Sequence, residues 1–354
     1  MKKARLIASY LPQFHPIPEN DAWWGKGFTE WTNVGKAEKL FKGHYQPRVP
    51  ADLGYYDLRL PQVQIEQSEL ALDSGIESFC YWHYWFGNGR RILEMPFNRH
   101  VENKEIRIGF CLGWANESWS GIWHGAGNKI LMEQLYPGKQ DYIEHFKCIL
   151  PALKDERYTK VKGKPLFMVY KPALIKDPQV FFETFTEQAR QHGFDGMYFV
   201  AQTTRIEEMQ ELLAQGYDSV NVVRMYDIER LGKSKLERGI KHIILRKIRV
   251  YEYEGAIKYM SGEEDHQLTC IPTIVPNWDH SPRSGARGFI LNHSTPELFE
   301  KHASQVIASV QHKPADERVV FVKSWNEWGE GNYLEPDLRY GRKYLEALKE
   351  CVKA

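Results

Sequence analysis

Phe321-Val-Lys-Ser-Trp-Asn-Glu-Trp-Gly-Glu-Gly-Asn-Tyr-Leu-Glu-Pro336 is the stretch on which the fold turns. Val319 to Val322 is a β-branched apolar run, the mark of a buried strand. It passes directly into Trp325, Asn326, Glu327, Trp328, Gly329, Glu330 and Gly331. Glycine lets the backbone turn sharply, and indoles offer flat apolar faces with one N–H each. Two carboxylates three residues apart at the end of a buried strand suit an acid/base pair beside a sugar ring. Solvated loop charges would also give a Glu-x-x-Glu spacing, but the strand and the aromatic surroundings weigh against that account.

Working outward, seven more short apolar runs read as strands: Arg5–Tyr10, Ile76–Tyr81, Ile106–Leu112, Leu166–Tyr170, Met197–Ala201, Ser219–Val223 and Ile271–Val275. Helical patterns lie between them, at Pro61–Leu72, Phe97–Asn103, Asp141–Leu153, Pro178–His192, Ile206–Gln215 and Pro296–Val310, and a last one spans Tyr340–Val352. Asp141 and Thr295 are suited to cap their helices. Parallel strands need such crossovers, and eight of them predict an α/β fold, a (β/α)8 TIM barrel. Residues 1–354 form a single catalytic domain on this reading, with long loops after strands 1 and 6. An open doubly wound sheet competes, but no Gly-x-Gly-x-x-Gly follows the first strand. The chemically rich residues follow strands one, two, three, seven and eight. In a barrel those points share the C-terminal rim, where active sites sit.

Composition narrows the class of function. A formal net charge of +1 gives no global field toward nucleic acid. The aromatic share of 13%, with 11 Trp and 19 Tyr, fits a protein that handles carbohydrate. Five scattered cysteines form no CxxC pair, and the N-terminus has too short an apolar stretch for a signal peptide, so the expected location is cytoplasmic. No run approaches the ~18 apolar residues of a membrane span.

Glu327 and Glu330 are the candidate catalytic pair. One carboxyl protonates the bridging oxygen of a glycosidic bond and the other assists at the anomeric carbon, provided their environments differ. Candidate substrate-binding residues are Tyr10, His15, Trp31, His83, Trp114, Asn116, Glu117, Tyr170, Trp278, Asn326 and Trp328. Gln13, Asn277 and Asp279 rank behind them, and Trp119 and Trp123 could add stacking faces. Each has a plainer account: indoles mostly pack in cores, and a lone histidine is mostly a satisfied structural one. No His-x-x-x-His or His-Glu-x-x-His spacing occurs, and neither a Gly-x-Ser-x-Gly elbow nor a Walker loop is present, so neither a metal nor another cofactor is expected. The basic stretch 230–249 reads as a solvated face or as a contact to a membrane surface or a lipid-linked glycan.

Several motifs resemble a known family. They are Tyr10-Leu-Pro-Gln-Phe-His15, Phe28-Thr-Glu-Trp-Thr-Asn33, His44-Tyr-Gln-Pro-Arg48, Asp52-Leu-Gly-Tyr-Tyr-Asp-Leu-Arg59, Cys80-Tyr-Trp-His-Tyr-Trp-Phe86, Trp114-Ala-Asn-Glu117 and Trp325-Asn-Glu-Trp-Gly-Glu-Gly331. Together they resemble the WbsX-like family, glycosyltransferases of bacterial surface-polysaccharide clusters. That family is similar to glycoside hydrolase family 99, the endo-α-mannosidases and endo-α-mannanases. The resemblance implies a (β/α)8 barrel that works without metal or nucleotide and retains anomeric configuration. It also implies that Glu327 acts as base on the substrate's own 2-hydroxyl, giving a 1,2-anhydro sugar, and that Glu330 acts as acid and then base at the glycosidic oxygen. The expected function is a retaining endo-glycosidase or transglycosylase acting on α-linked, mannoside-like bonds in a surface glycan. The alternatives are a WbsX-type transferase using an activated donor and a non-catalytic glycan-binding barrel.

Overall fold

The computed structural model describes residues 3–120, 130–231 and 248–353. The barrel strands are β1 Arg5–Tyr10, β2 Ile76–Trp85, β3 Gly109–Trp114, β4 Lys164–Val169, β5 Tyr198–Thr203, β6 Ser219–Val222, β7 Cys270–Ile274 and β8 Val319–Val322. Each pairs in parallel with its sequence neighbours, and β1 pairs with both β2 and β8, so the sheet closes as a (β/α)8 barrel. Helices cover its outside: α1 Pro61–Asp73, α2 Met95–Glu102, α3 Lys139–Leu153, α4 Pro178–Gln191, α5 Met209–Gln215, α6 Pro296–Val310 and α7 Lys343–Val352. With both faces covered, the strands are apolar almost throughout. Thr295 caps α6 as expected, its hydroxyl accepting the Leu298 N–H. Asp141 does not cap α3, which starts at Lys139. Its carboxylate instead accepts the Trp85 Nε1–H at 2.9 Å and the Asn88 N–H at 2.6 Å.

Two strand boundaries differ from the sequence reading, one at each end of the barrel. Ile106 and Ile108 are buried but precede β3, because side chains take their backbone groups. Arg157 donates to the Ile106 carbonyl, and the Ile108 N–H donates to Ser68 Oγ. β2, in turn, runs on through Trp85, pairing Trp82 with Gly113 and His83 with Trp114. A Cβ at Gly113 would lie 2.6 Å from Met168 Cε and 3.5 Å from the Trp82 ring, so the glycine leaves the space that Trp82 fills.

The long loop after β1 carries two short helices, Pro18–Trp24 and Glu30–Gly35. After β6 come a helix at Asp227–Leu231 and a strand at Arg249–Glu252, which pairs with Phe289–Asn292 from the loop after β7. A second small core lies beneath these two loops, built around Val223, Tyr253, Trp278 and Leu291. Within the basic stretch 230–249, residues 232–247 lie outside the described residues, as does Trp123. The flanking Arg230 and Arg249 pair with Asp227 and Glu229. Among the described residues, no helix is long and apolar enough to cross a membrane.

Candidate active site

β8 ends in a buried turn, and that turn delivers both glutamates to one place. The short strands Asn326–Glu327 and Asn332–Tyr333 pair antiparallel, and Trp328–Glu330 makes a single tight turn between them. Gly331 closes it with φ of +51°, and a Cβ there would lie 2.7 Å from Asp279 Cβ, so glycine is needed on both counts.

Glu327 and Glu330 are 4% and 8% exposed, and both line one cavity at the C-terminal mouth of the barrel. The cavity holds about 130 Å³, many times the ~10–15 Å³ that one water needs, and so admits a body the size of a sugar ring. Trp82, Tyr84 and Tyr170 form its aromatic wall, and Trp24, Glu117 and Trp119 lie around it. Trp82 Nε1–H donates to Glu327 Oε1 at 2.7 Å.

Arg283 joins the acids. Its Nη1 lies 2.5 Å from Glu330 Oε1, its Nη2 3.6 Å from Glu327 Oε2 and its Nε 2.9 Å from Glu30 Oε1. Burial works against the guanidinium charge, but the three carboxylates outweigh burial and push Arg283 further up. Lys323 Nζ sits 4.0 Å from Glu327 Oε1, with the rings of Trp82 and Trp278 5.5 Å and 5.7 Å away. Burial raises Glu327 above the usual carboxylate range, and the Glu330 charge adds to this; Lys323, Arg283 and the Trp82 hydrogen bond pull the other way. Burial also raises Glu117, against the pull of Lys171.

Arg283 is held from behind by a buried hub. Asp279 Oδ2 accepts from His44 Nε2 and Gln46 Nε2, each at 2.7 Å, and Asp279 Oδ1 accepts the Ser281 N–H at 2.9 Å. The Leu40 N–H donates to His44 Nδ1, which leaves the ring proton on Nε2, facing Asp279. Burial favours protonating Asp279, yet the His44 hydrogen bond and the Arg48 charge overcome it and hold the group down at about 2. The hub therefore ties the loop after β1 to the first turn of the Ser281–Ser284 helix that carries Arg283.

Of the residues singled out in the sequence, Glu327, Glu330, Glu117, Tyr170, Trp119 and Gln13 line the cavity. The others sit in its supporting structure. Tyr10 is buried inside the barrel and donates to Gln67. His15 is buried, which lowers it to about 4. Trp31 donates to the Tyr56 carbonyl and packs on Trp328. His83 meets His145 at 2.8 Å, ring stacked on ring. Trp114 donates to the Trp85 carbonyl. Asn116 bridges the exits of β3 and β4 through both backbone groups of Lys171. Trp278 is buried against His280. Asn326 clasps both backbone groups of Leu11, fixing the exit of β1 to the turn that carries Glu327 and Glu330. Trp328 donates to Glu335 and stacks on Tyr333.

Arg283, Lys323, Trp82 and Tyr84 were not among the sequence candidates. Arg283 and Lys323 are single basic residues with no motif of their own, and their only sequence signal is a place just after a strand. Gln13, ranked second, also lines the cavity and is buried. No group of three or more His, Cys, Asp or Glu among the described residues is arranged to hold a metal.

The sequence profile of the family described as Glycosyltransferase WbsX matches residues 6–348. Over 364 aligned residues the chain is 35% identical to the uncharacterized protein WxcX of Xanthomonas campestris pv. campestris strain B100, covering 99% of this chain and 50% of that protein. The chain thus spans about half the length of the curated relatives it matches. The fold is similar to that of the GH99 endo-alpha-mannosidase from Bacteroides thetaiotaomicron in complex with bis-tris propane, with a TM-score of 0.59, 14% identity, and coverage of 98% of this chain and 95% of that one. A glycoside hydrolase-like protein aligns with a TM-score of 0.65 and 13% identity, over 99% of this chain and 94% of its own.

Proposed function

The chain belongs to the WbsX glycosyltransferase family, and on that premise we propose that its barrel is one catalytic domain that remakes or cleaves α-glycosidic, mannoside-like bonds within a bacterial surface glycan. The observation that carries this reading is the convergence of Glu327 and Glu330 on one aromatic-walled cavity, with Arg283 touching both.

The chemistry runs in two steps. Glu327 takes the proton of the sugar 2-hydroxyl, and that oxygen attacks the anomeric carbon. The bond to the bridging oxygen breaks, and Glu330 gives that oxygen its proton, so a 1,2-anhydro sugar and a free alcohol result. Glu330 then takes a proton from an incoming hydroxyl as its oxygen bonds to the anomeric carbon, the bond from that carbon to O2 breaks, and Glu327 returns the proton to O2. Configuration is retained. Water as the incoming group gives hydrolysis, and a sugar hydroxyl gives transfer. Arg283 fixes the orientation of Glu330, and the Trp82 N–H fixes that of Glu327.

Incubation with α-mannan and surface polysaccharides, with and without nucleotide sugars, tests the proposal. Shortened or re-joined chains without any nucleotide support it. Elongation only with a nucleotide sugar makes the protein a donor-dependent transferase instead, and binding without turnover makes it a glycan-binding barrel.

A further inference from the structure

The geometry points to Lys323 as a further catalytic residue, whose ammonium donates a hydrogen bond to the sugar's O2 and steadies the negative charge that grows there as Glu327 takes the 2-hydroxyl proton. This inference rests on the reading of Glu327 as the base toward that hydroxyl.

Lys323 is the first residue past β8. Its N–H donates to the Ile274 carbonyl at 2.9 Å, and its own carbonyl accepts from Asn332 Nδ2. The backbone is thereby pinned to β7 on one side and to the Asn332–Tyr333 strand on the other. The side chain runs between two indoles, with Nζ 5.5 Å from the Trp82 ring and 5.7 Å from the Trp278 ring. Ring faces attract a cation, so the indoles fix where the ammonium stands.

It stands in the wall of the cavity, beside Glu327. Nζ is 4.0 Å from Glu327 Oε1, close enough to attract but too far for a hydrogen bond. That oxygen already accepts the Trp82 N–H at 2.7 Å. The gap is one that a single bridging oxygen spans. An oxygen about 2.8 Å from both Nζ and Oε1 subtends an angle of about 90° between them. A hydroxyl donates to one such partner and accepts from the other. The 2-hydroxyl whose proton passes to Glu327 fits that place. Arg283 already gives its Nε to Glu30 and its Nη1 to Glu330.

The contact serves both steps. In the first, the O2–H bond breaks toward Glu327 while O2 bonds to the anomeric carbon. In the second, that bond breaks, and O2 carries charge until Glu327 returns the proton. Lys323 donates a hydrogen bond in each and keeps its own protons, so the proton exchange of the glutamates is unchanged. A fixed donor aimed at a developing oxyanion is worth about 10²–10³-fold in rate. Lys323 also favours the ionised form of Glu327, and the test has to separate that effect from contact with O2.

A binding cycle needs no turnover and so separates this inference from the proposed function. The probes are methyl α-D-mannopyranoside and its 2-deoxy analogue, titrated calorimetrically into the whole protein and into Lys323→Met, which keeps the stem and removes the charge. The wild type is expected to bind the 2-hydroxy sugar about tenfold more tightly than the 2-deoxy sugar. In Lys323→Met the preference shrinks to about threefold or less, while affinity for the 2-deoxy sugar holds. Lys323→Gln, read in the same way, guards against a folding defect in the first variant. Repeated in a Glu327→Gln background, the cycle still shows Lys323 coupled to O2, which an effect passed through the Glu327 charge would not give. Equal affinity of the wild type for the two sugars, no measurable binding of either included, overturns the inference. So does equal weakening of both sugars in Lys323→Met, or a coupling that vanishes with Glu327→Gln. The expected cycle without any glycan turnover counts against the proposed function and leaves Lys323 in contact with O2.

Discussion

Glu30 and Gly329 occupy what is sterically one position: Glu30 Oε1 fills the place where a side chain at 329 would begin, 1.6 Å from an ideal Cβ. The contact joins the first long loop of the chain to the turn after β8, and it explains why a glycine stands between Glu327 and Glu330.

Gly329→Ala therefore displaces Glu30 or distorts the turn. We expect a loss of about 1–3 kcal/mol in stability, read as a lower melting temperature. Turnover should fall about tenfold or more, because a small misplacement of catalytic groups is costly in rate. A variant that melts and works like the wild type would show that the turn tolerates the methyl group and that the contact has no consequence.

Trp82→Phe keeps a ring in the cavity wall and removes the N–H that Glu327 accepts at 2.7 Å. That hydrogen bond favours the ionised carboxylate, so its loss raises Glu327 further. A base must be ionised to act. The ascending limb of the pH–rate profile should therefore move up by about one pH unit, with little change in KM. An unmoved limb would mean that Glu327 is not the group that limb reports.

The fold was legible where the sequence carried a repeated physical signal. Apolar runs alternating with helical patterns gave the barrel, and the β8 exit gave the glutamate pair. The aromatic motifs also led to the rim, but most of their members support the cavity without lining it. A buried indole or amide needs a partner for its polar atoms, and Trp114, Trp328, Asn116 and Asn326 find theirs in neighbouring backbone or in Glu335. Arg283 and Lys323 escaped notice for the opposite reason. Arg283 reaches Glu327 and Glu330 across the barrel mouth, at sequence separations that no local pattern encodes, and Lys323, four residues before Glu327, takes its meaning from the Trp82 and Trp278 rings beside it.

Glu335 gives the protein a pH-dependent stability of its own. It is 3% exposed and accepts hydrogen bonds from Trp328, Gln67 and Tyr56. Burial raises it to about 7 in spite of those bonds. A folded value above the unfolded ~4.3 means that its contribution is fully present below about pH 4 and is lost as pH rises through about 7, a total of about 4 kcal/mol. The melting temperature should fall between about pH 4 and pH 7, and Glu335→Gln should flatten that fall. An equally steep fall in the variant would place the titrating group elsewhere.

The most direct test of the central claim is the turnover of Glu327→Gln and Glu330→Gln on a glycan that the wild type cleaves or transfers, measured beside their melting curves. Each is expected to lose about 10²–10⁴-fold in kcat while melting within a few degrees of the wild type. Near-normal turnover in either variant would contradict the assignment of the reaction to this pair of carboxyls.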